Sequence, residues 1–384
     1  MRKVHLAINA GSATLKFRAY AADGHTLLVK GLVERFGQAG GRLTLADGKG
    51  VPLLEQELAD NRRDMAVAAV INALADRQLA VAAVLHRVVH GGNRFSEPVR
   101  LTPPVRAELE EFVPLAPLHQ PVSLAVIDAF SVLDERLLQI ACFDTAFHTS
   151  QPEVATRFGI ARHWHEEGVR RYGFHGLSYA AIARRLPELG LAEGKVVVCH
   201  LGSGASACAI SQGHSVASSM GFSAVDGLLM GTRPGALDPE VLLYWMEHEG
   251  MGVAEVRREL YKNSGLLGVS GLSADMRELL ASHEPAAREA VELFCYRVVR
   301  EIGALAAAMK GLDAVVFTAG IGERSPEIRG RVLKQLAWLG FELDLSANLS
   351  HARRLSTAAS QRSAWMIPTD EEGEMLRSAA HLLG

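Results

Sequence analysis

A chain of 384 residues is longer than one compact core usually fills, so two domains are expected. Its composition, 48% hydrophobic and 22% charged, is that of an ordinary soluble globular protein, and a net charge of −3 gives no electrostatic reason for nucleic acid or an anionic membrane as partner. No apolar run reaches the roughly 18 residues that span a bilayer, and a strand starts within four residues of the N-terminus where a signal peptide would stand. The four cysteines (Cys142, Cys199, Cys208, Cys295) are scattered without a C-x-x-C and read as small buried side chains, so a reducing, cytoplasmic compartment is expected.

In chain order, the apolar run Val4, Leu6, Ile8 enters a Gly-Ser turn and a second apolar run leaves it, which predicts a hairpin. Residues 37–50 are Gly-rich with short apolar islands, consistent with further strands. Helical spacing of Met65, Ala69, Val70 and Leu74 predicts a helix over 62–79. Val81 to Val89 reads as a buried strand. Pro103-Pro104 opens a helix to Phe112, closed by Pro114 and Pro117, and another runs from Pro121 to about Asp134. Leu137 to Phe143 is a strand ending on Asp144. Leu177 to Leu186 is helical, Val196 to Ile210 a second hairpin, and 238–262 and 273–311 are mostly helical. Ala314 to Phe317 is a strand running into the Gly-rich turn T-A-G-I-G-E-R-S, and Pro326 lies in the first turn of the next helix. Ser363 to Ile367 is the last strand and Asp370 to Leu383 the last helix, with Thr369 or Asp370 as N-cap. Alternating strands and helices predict an α/β fold.

The two hairpins resemble each other. I-N-A-G-S-A-T-L-K is matched by V-V-V-C-H-L-G-S-G-A-S, with Asn9 against His200 and Gly11 against Gly202, 191 residues apart. Hairpin tips of this kind expose backbone N–H groups that hold anions, so two of them suggest a duplicated fold gripping a polyphosphate. Asn9, Ser12, Thr14 and Lys16 have the donors for phosphate or a hydrated Mg²⁺, or form a polar turn that satisfies only itself. Arg87, at a strand end before V-V-H-G-G, is either an ion-paired terminus or a two-point clamp for a carboxylate or phosphoryl group. Asp144 stands at a strand's C-terminal end, where α/β sheets gather ligands, or is a turn aspartate. Arg170 to Gly176 packs two arginines, two aromatics and His175 before a helix, which favours anion binding over a capped turn. Arg233 lies in the loop M-G-T-R-P-G, Asp275-Met276-Arg277 start a helix within reach of a nucleotide, and Gly320-Ile321-Gly322-Glu323 form a third Gly-rich segment after a strand. Glu371, among three acids opening the last helix, is a dipole partner or a metal ligand.

Taken together, I-N-A-G-S-A-T-L-K, H-R-V-V-H-G-G, P-L-H-Q-P, F-D-T-A-F-H, R-R-Y-G-F-H-G, H-L-G-S-G-A-S, M-G-T-R-P-G, F-T-A-G-I-G-E and I-P-T-D-E-E resemble the acetate kinase family, of the actin/hexokinase/Hsp70-like superfamily, nearly end to end and in order. The resemblance implies duplicated actin-like (ribonuclease H-like) domains, 1–147 plus 371–384 and 148–370, with a nucleotide cleft between them and dimerisation through the second. It implies Mg²⁺ or Mn²⁺ placed by Asn9 and Glu371, phosphate contacts from Ser12 and Thr14, and carboxylate and phosphoryl contacts from Arg87 and Arg233. His175 would stabilise the transition state by hydrogen bonding and Asp144 orient or polarise the acyl substrate. Val89, Leu118, Phe174 and Ala224 would form the methyl pocket. Lys16, the run His200, Leu201, Gly202, Ser203, Gly204, then Asp275, Met276, Arg277, and Gly320, Ile321, Gly322, Glu323, Arg324 would bind ATP or ADP. Acetate or acetyl phosphate would be the other substrate, with a homodimer as the working form.

Acetate is already ionised at neutral pH, so the chemistry needs positioning and charge screening, and direct in-line transfer without a phosphoenzyme is expected. Ser203, Arg324, Pro234 and Ala236 depart from the family pattern around the nucleotide. Ala224, where proline is frequent, leaves room for one more methylene and predicts turnover of propionate. The competing readings are a propionate or butyrate kinase of the same branch, and an ATP-gated actin-like or Hsp70-like module. The latter is disfavoured because the chain ends at the last helix of the nucleotide fold.

Overall fold

A computed structural model describes residues 1–11, 13–24, 26–58 and 62–383. The chain divides into two compact units, Met1–Ala146 with Asp370–Gly384, and Phe147–Thr369.

The first unit is built on an eight-stranded sheet. Its strands are β1 (Arg2–Ala10), β2 (Thr14–Ala21), β3 (Leu27–Glu34), β4 (Arg42–Asp47), β5 (Pro52–Glu57), β6 (Leu79–Val88), β7 (Val99–Arg100) and β8 (Leu138–Phe143), in the spatial order β5-β4-β3-β2-β1-β6-β8-β7. The alternation Val4, Leu6, Ile8 puts these side chains on one face of β1, where they pack with Phe17, Val70, Leu74 and Phe130 into a core under the helices Arg63–Ala75 and Gln120–Leu133. The helix Glu371–Ser378 packs on β1 and β6, with Met375 wholly buried.

The second unit carries a five-stranded sheet: β9 (Lys195–Leu201), β10 (Ala205–Ser211), β11 (His214–Ser218), β12 (Ala314–Thr318) and β13 (Ser363–Met366), ordered β11-β10-β9-β12-β13. Val196 to Cys199 are buried on both faces, as central strands of such sheets are. The pairings repeat those of the first unit. β3-β2-β1 and β11-β10-β9 are antiparallel, and β1-β6-β8 and β9-β12-β13 are parallel. The duplication seen in the two Gly-Ser turns therefore extends to the topology. The second turn is one residue tighter, since Ala10 pairs with Leu15 but Leu201 with Ala205.

Some elements differ from their sequence expectation. The helix over 62–79 stops at Ala75, because Gln78 takes a positive φ of 59° and Leu79 already belongs to β6. The stretch 238–262 breaks at Gly250 (φ 68°) into helices Pro239–Glu247 and Val253–Arg258. The stretch 273–311 breaks before Pro285, where the preceding residue is held extended, into Met276–Ala281 and Pro285–Ala308. The last helix breaks at Ala379, and Asp370 is its cap, accepting from the Gly373 N–H at 3.2 Å. The segment after β12 is a helix, Ala319–Arg324, rather than a Gly-rich turn. Glu323 accepts from the Ala319 N–H at 2.9 Å and so satisfies a donor that a helix start otherwise leaves bare.

Candidate active site

The parallel run of β1, β6 and β8 brings Asn9, Arg87 and Asp144 to the same, carboxyl-terminal edge of the first sheet. Arg87 Nε donates to both Asp144 oxygens at 3.0 Å, and Nη2 donates to Oδ2 as well. Arg87 Nη1 donates to Asn9 Oδ1 at 3.0 Å, and Asn9 Nδ2 donates to Glu371 Oε2 at 2.9 Å. Four side chains from three strands and the last helix thus form one linked row.

Asp144 is 1% exposed while the Arg87 side chain is 19% exposed, so the arginine presents the open edge of the pair. Burial opposes its charge, but Asp144 and Glu371 together hold it above its ordinary pKa. Glu371 goes the other way. Burial, with Asp144 and Glu372 adding repulsion, pushes its carboxyl up to about 7 against the opposing pull of Arg87 and Lys16.

Lys16 stands opposite Asn9 in the β1–β2 register and is exposed. Thr14 closes the turn by accepting from the Gly11 N–H at 2.7 Å. Val89 is buried and Leu118 is 38% exposed. Ser12 lies outside the described residues.

In the second unit His175 adopts a left-handed φ of 59° ahead of the helix Gly176–Ala183, but its ring does not cap that helix. Its Nδ1 instead meets Ser206 Oγ at 2.8 Å, and its ring stacks on His200 with centroids 4.1 Å apart at 15°. Arg233 donates from Nη1 to the Ala224 carbonyl at 2.6 Å. Burial lowers its pKa, which for a guanidinium still leaves a cation at neutral pH. A Cβ at Gly204 would lie 2.7 Å from Arg233 Nη2 and 3.5 Å from His175 Nε2, so the arginine, the histidine and the β9–β10 turn converge on one point.

A cavity of about 880 Å³ adjoins that turn. Gly202, Ser203, Asp275, Met276, Arg277, Gly320, Ile321 and Arg324 line it together with Ala274, Leu280 and Ala281. Three separate segments expected to contact a nucleotide therefore meet at one hollow of ligand size. Other expected members play structural parts. Leu201 is wholly buried, and Gly322 is buried. Glu323 is spent on the backbone, accepting from the Ala319 and Thr369 N–H groups. Asp275 caps its helix and pairs with Arg277 at 2.5 Å. Phe174 is buried, its carbonyl bonded to His148 Nε2 at 2.9 Å. Ala224 is half-buried.

Of the segment Arg170 to Gly176, His175 reaches the convergence point. Arg171 is structural, paired with Asp226 at 3.0 Å and lying over Phe158. Gly173 (φ 76°) is required there, because a Cβ would fall 2.6 Å from the His148 ring.

Sequence reasoning missed four hydroxyls behind the two histidines. Ser206 Oγ lies 2.5 Å from Tyr179 Oη, His200 Nδ1 lies 2.8 Å from Ser178 Oγ, and Thr369 Oγ1 donates to Ser178 Oγ at 2.8 Å. The one sequence signal was a serine, Ser206, inside the apolar strand A-S-A-C-A-I.

The acetokinase family matches residues 4–377. The chain belongs to the acetokinase family. Among relatives in the family, the acetate kinase of Rhodopseudomonas palustris strain TIE-1 is 50% identical over 97% of this chain and 96% of its own. That of Nitrobacter hamburgensis is 47% identical over 98% and 95%. Among solved structures, Porphyromonas gingivalis acetate kinase superposes with a TM-score of 0.89 at 35% identity over the whole of both chains. A propionate kinase from Francisella tularensis superposes at 0.93 with 31% identity over 98% of each. The fold is the α/β, actin-like type of these kinases, with two domains.

Proposed function

We propose that this chain is an acetate kinase, which transfers the γ-phosphoryl group of ATP reversibly to acetate, giving acetyl phosphate and ADP in a single in-line displacement. The observation that carries the reading is the convergence of Arg233 and His175 on the Gly204 turn beside a nucleotide-sized cavity, in a chain that matches acetate kinases end to end.

The residue types suit the chemistry. Acetate is ionised at pH 7 and needs no base. Both oxygens of Asp144 accept from Arg87, which suits it to holding that guanidinium in place. The open edge of Arg87 is then the group for the acetate carboxylate. Arg233 and His175 supply donors for the oxygens of the transferring phosphoryl group, where negative charge must be neutralised as two anions meet. The cavity takes the nucleoside end, and the Gly202–Gly204 turn the phosphates.

Asn9 and Glu371 fit a magnesium ion. An amide and a carboxyl offer hard oxygen ligands, and burial, which pushes the Glu371 carboxyl up to about 7, is a cost that a bound cation would offset. Among the described residues no group of three His, Cys, Asp or Glu side chains clusters for a metal, which suits an ion held by one or two side chains and otherwise by water and phosphate. When bound, Mg²⁺ screens the phosphates against the incoming carboxylate. The family resemblance supports a homodimer in the cytoplasm. Among the described residues no helix is long and apolar enough to cross a membrane.

Hydroxylamine trapping of acyl phosphate across a panel of donors and acids tests the proposal. Acetyl hydroxamate formed from ATP and acetate is expected; its absence, with folded protein and Mg²⁺ present, refutes the activity.

A further inference from the structure

His175 and His200 are stacked rings, and each has its Nδ1 against a serine hydroxyl that is itself bonded to another hydroxyl. Behind His175 the chain runs Tyr179, Ser206, His175; behind His200 it runs Thr369, Ser178, His200. Tyr179, Ser206 and Ser178 are wholly buried, so water does not compete for these protons.

The direction of the first chain follows from acidity. A phenol is a far stronger hydrogen-bond donor than an aliphatic alcohol, and burial keeps the Tyr179 phenol protonated well above its ordinary range. Its O–H therefore points at Ser206 Oγ across 2.5 Å. Having accepted that proton, Ser206 has its own to give, and its remaining partner is His175 Nδ1 at 2.8 Å. In the second chain Thr369 donates to Ser178, which leaves the Ser178 proton for His200 Nδ1.

We infer that Tyr179 with Ser206, and Thr369 with Ser178, are positioning residues that fix both stacked histidines as neutral imidazoles with the proton on Nε2. The inference rests on the acetate kinase reading only for its catalytic consequence. His175 then meets the phosphoryl group as a neutral N–H donor from Nε2, the atom nearest the Gly204 turn, and the cationic charge on this side comes from Arg233. A doubly protonated His175 is disfavoured twice. Its Nδ1–H would make Ser206 the acceptor and reverse the Tyr179 contact, so that the stronger donor, the phenol, would have to accept from the alcohol. Two imidazoliums 4.1 Å apart would also repel.

The test is ¹⁵N NMR of the histidine rings in the full chain, without substrates, with signals assigned through His175→Gln and His200→Gln. Expected is an unprotonated-type Nδ1 and a protonated-type Nε2 for both rings, unchanged between pH 6 and 8. A protonated Nδ1, or imidazolium at neutral pH, on His175 overturns the inference, whatever the protein catalyses. Ser206→Ala supplies the kinetic arm, with its fold checked by circular dichroism. It should lower kcat roughly tenfold with KM for ATP and acetate within about twofold. It should also introduce an acid limb near the ordinary histidine pKa of about 6.5, as the ring regains its proton. Ser206→Thr, which restores the hydroxyl, should recover the pH profile. A Ser206→Ala enzyme with wild-type kcat and pH profile overturns the positioning role.

Discussion

Glu371 illustrates how a single side chain in this protein is held away from its comfortable state. Its folded pKa of about 7 lies above the ordinary 4.5, chiefly because burial penalises the carboxylate. Between those two values the folded protein keeps a proton that the unfolded chain gives up. Its contribution to stability is therefore present at low pH and is lost as pH rises through about 7. Glu371→Gln keeps the polar contact with Asn9 and removes the titration. Thermal melts in EDTA should show the variant gaining on the wild type between pH 5 and pH 8; a gap independent of pH would contradict the assignment.

Gly204 supports a second prediction at this scale. It does not need a positive φ, so alanine is compatible with its backbone, yet the new Cβ would lie 2.7 Å from a guanidinium nitrogen at the far end of a flexible side chain. Gly204→Ala should fold normally and displace Arg233, with kcat falling about 10- to 100-fold. A correctly folded variant with wild-type kcat would show that Arg233 does not act where it stands. Ala224 is half-buried and its carbonyl accepts from Arg233; as the proposed acyl-pocket residue it would set acyl preference. Propionate should be turned over with kcat/KM below that for acetate by a factor corresponding to about 1–3 kcal/mol, and an absence of propionyl phosphate would reject this.

At the scale of elements, two of the three Gly-rich segments were legible as structure and the third only as punctuation. The two hairpin turns followed from apolar runs on either side of Gly and Ser. The third segment became the helix Ala319–Arg324, because Glu323 reaches back to the Ala319 N–H, a contact four residues away that periodicity does not register. Glu323 also holds the Thr369 N–H, 46 residues on. Glu323→Ala should therefore cost about 1–3 kcal/mol in urea unfolding by leaving two backbone donors unpaired, and an unchanged midpoint would show the clamp to be idle.

Motif strings brought Asn9, Arg87, Asp144, His175 and Arg233 into view. The hydroxyls behind the histidines stayed hidden because serine, threonine and tyrosine are common, and their meaning comes from which strand and helix face each other. Ser206 shows this best: on β10 it faces Tyr179 and His175 from a helix some thirty residues earlier.

At the scale of the whole molecule, two units of equivalent topology carry unlike side chains at matching turns. Asn9 of β1 corresponds to His200 of β9, so one hairpin presents an amide beside Arg87 and Glu371 while the other presents the His200 imidazole, stacked on His175. Under the proposed function, Arg87 of the first unit serves the acetate carboxylate and Arg233 of the second the transferring phosphoryl group. Arg87→Ala and Arg233→Ala should each lower kcat at least tenfold, about 1.4 kcal/mol, and activity surviving intact in either variant would remove that unit's arginine from the account.

Because acetate is itself an ionised nucleophile at neutral pH, the phosphoryl group should pass from ATP to acetate in one step. ATP made chiral at the γ-phosphorus decides this directly. The account predicts acetyl phosphate with inverted configuration at phosphorus; retention would mean two displacements and a phosphoenzyme, and would contradict it.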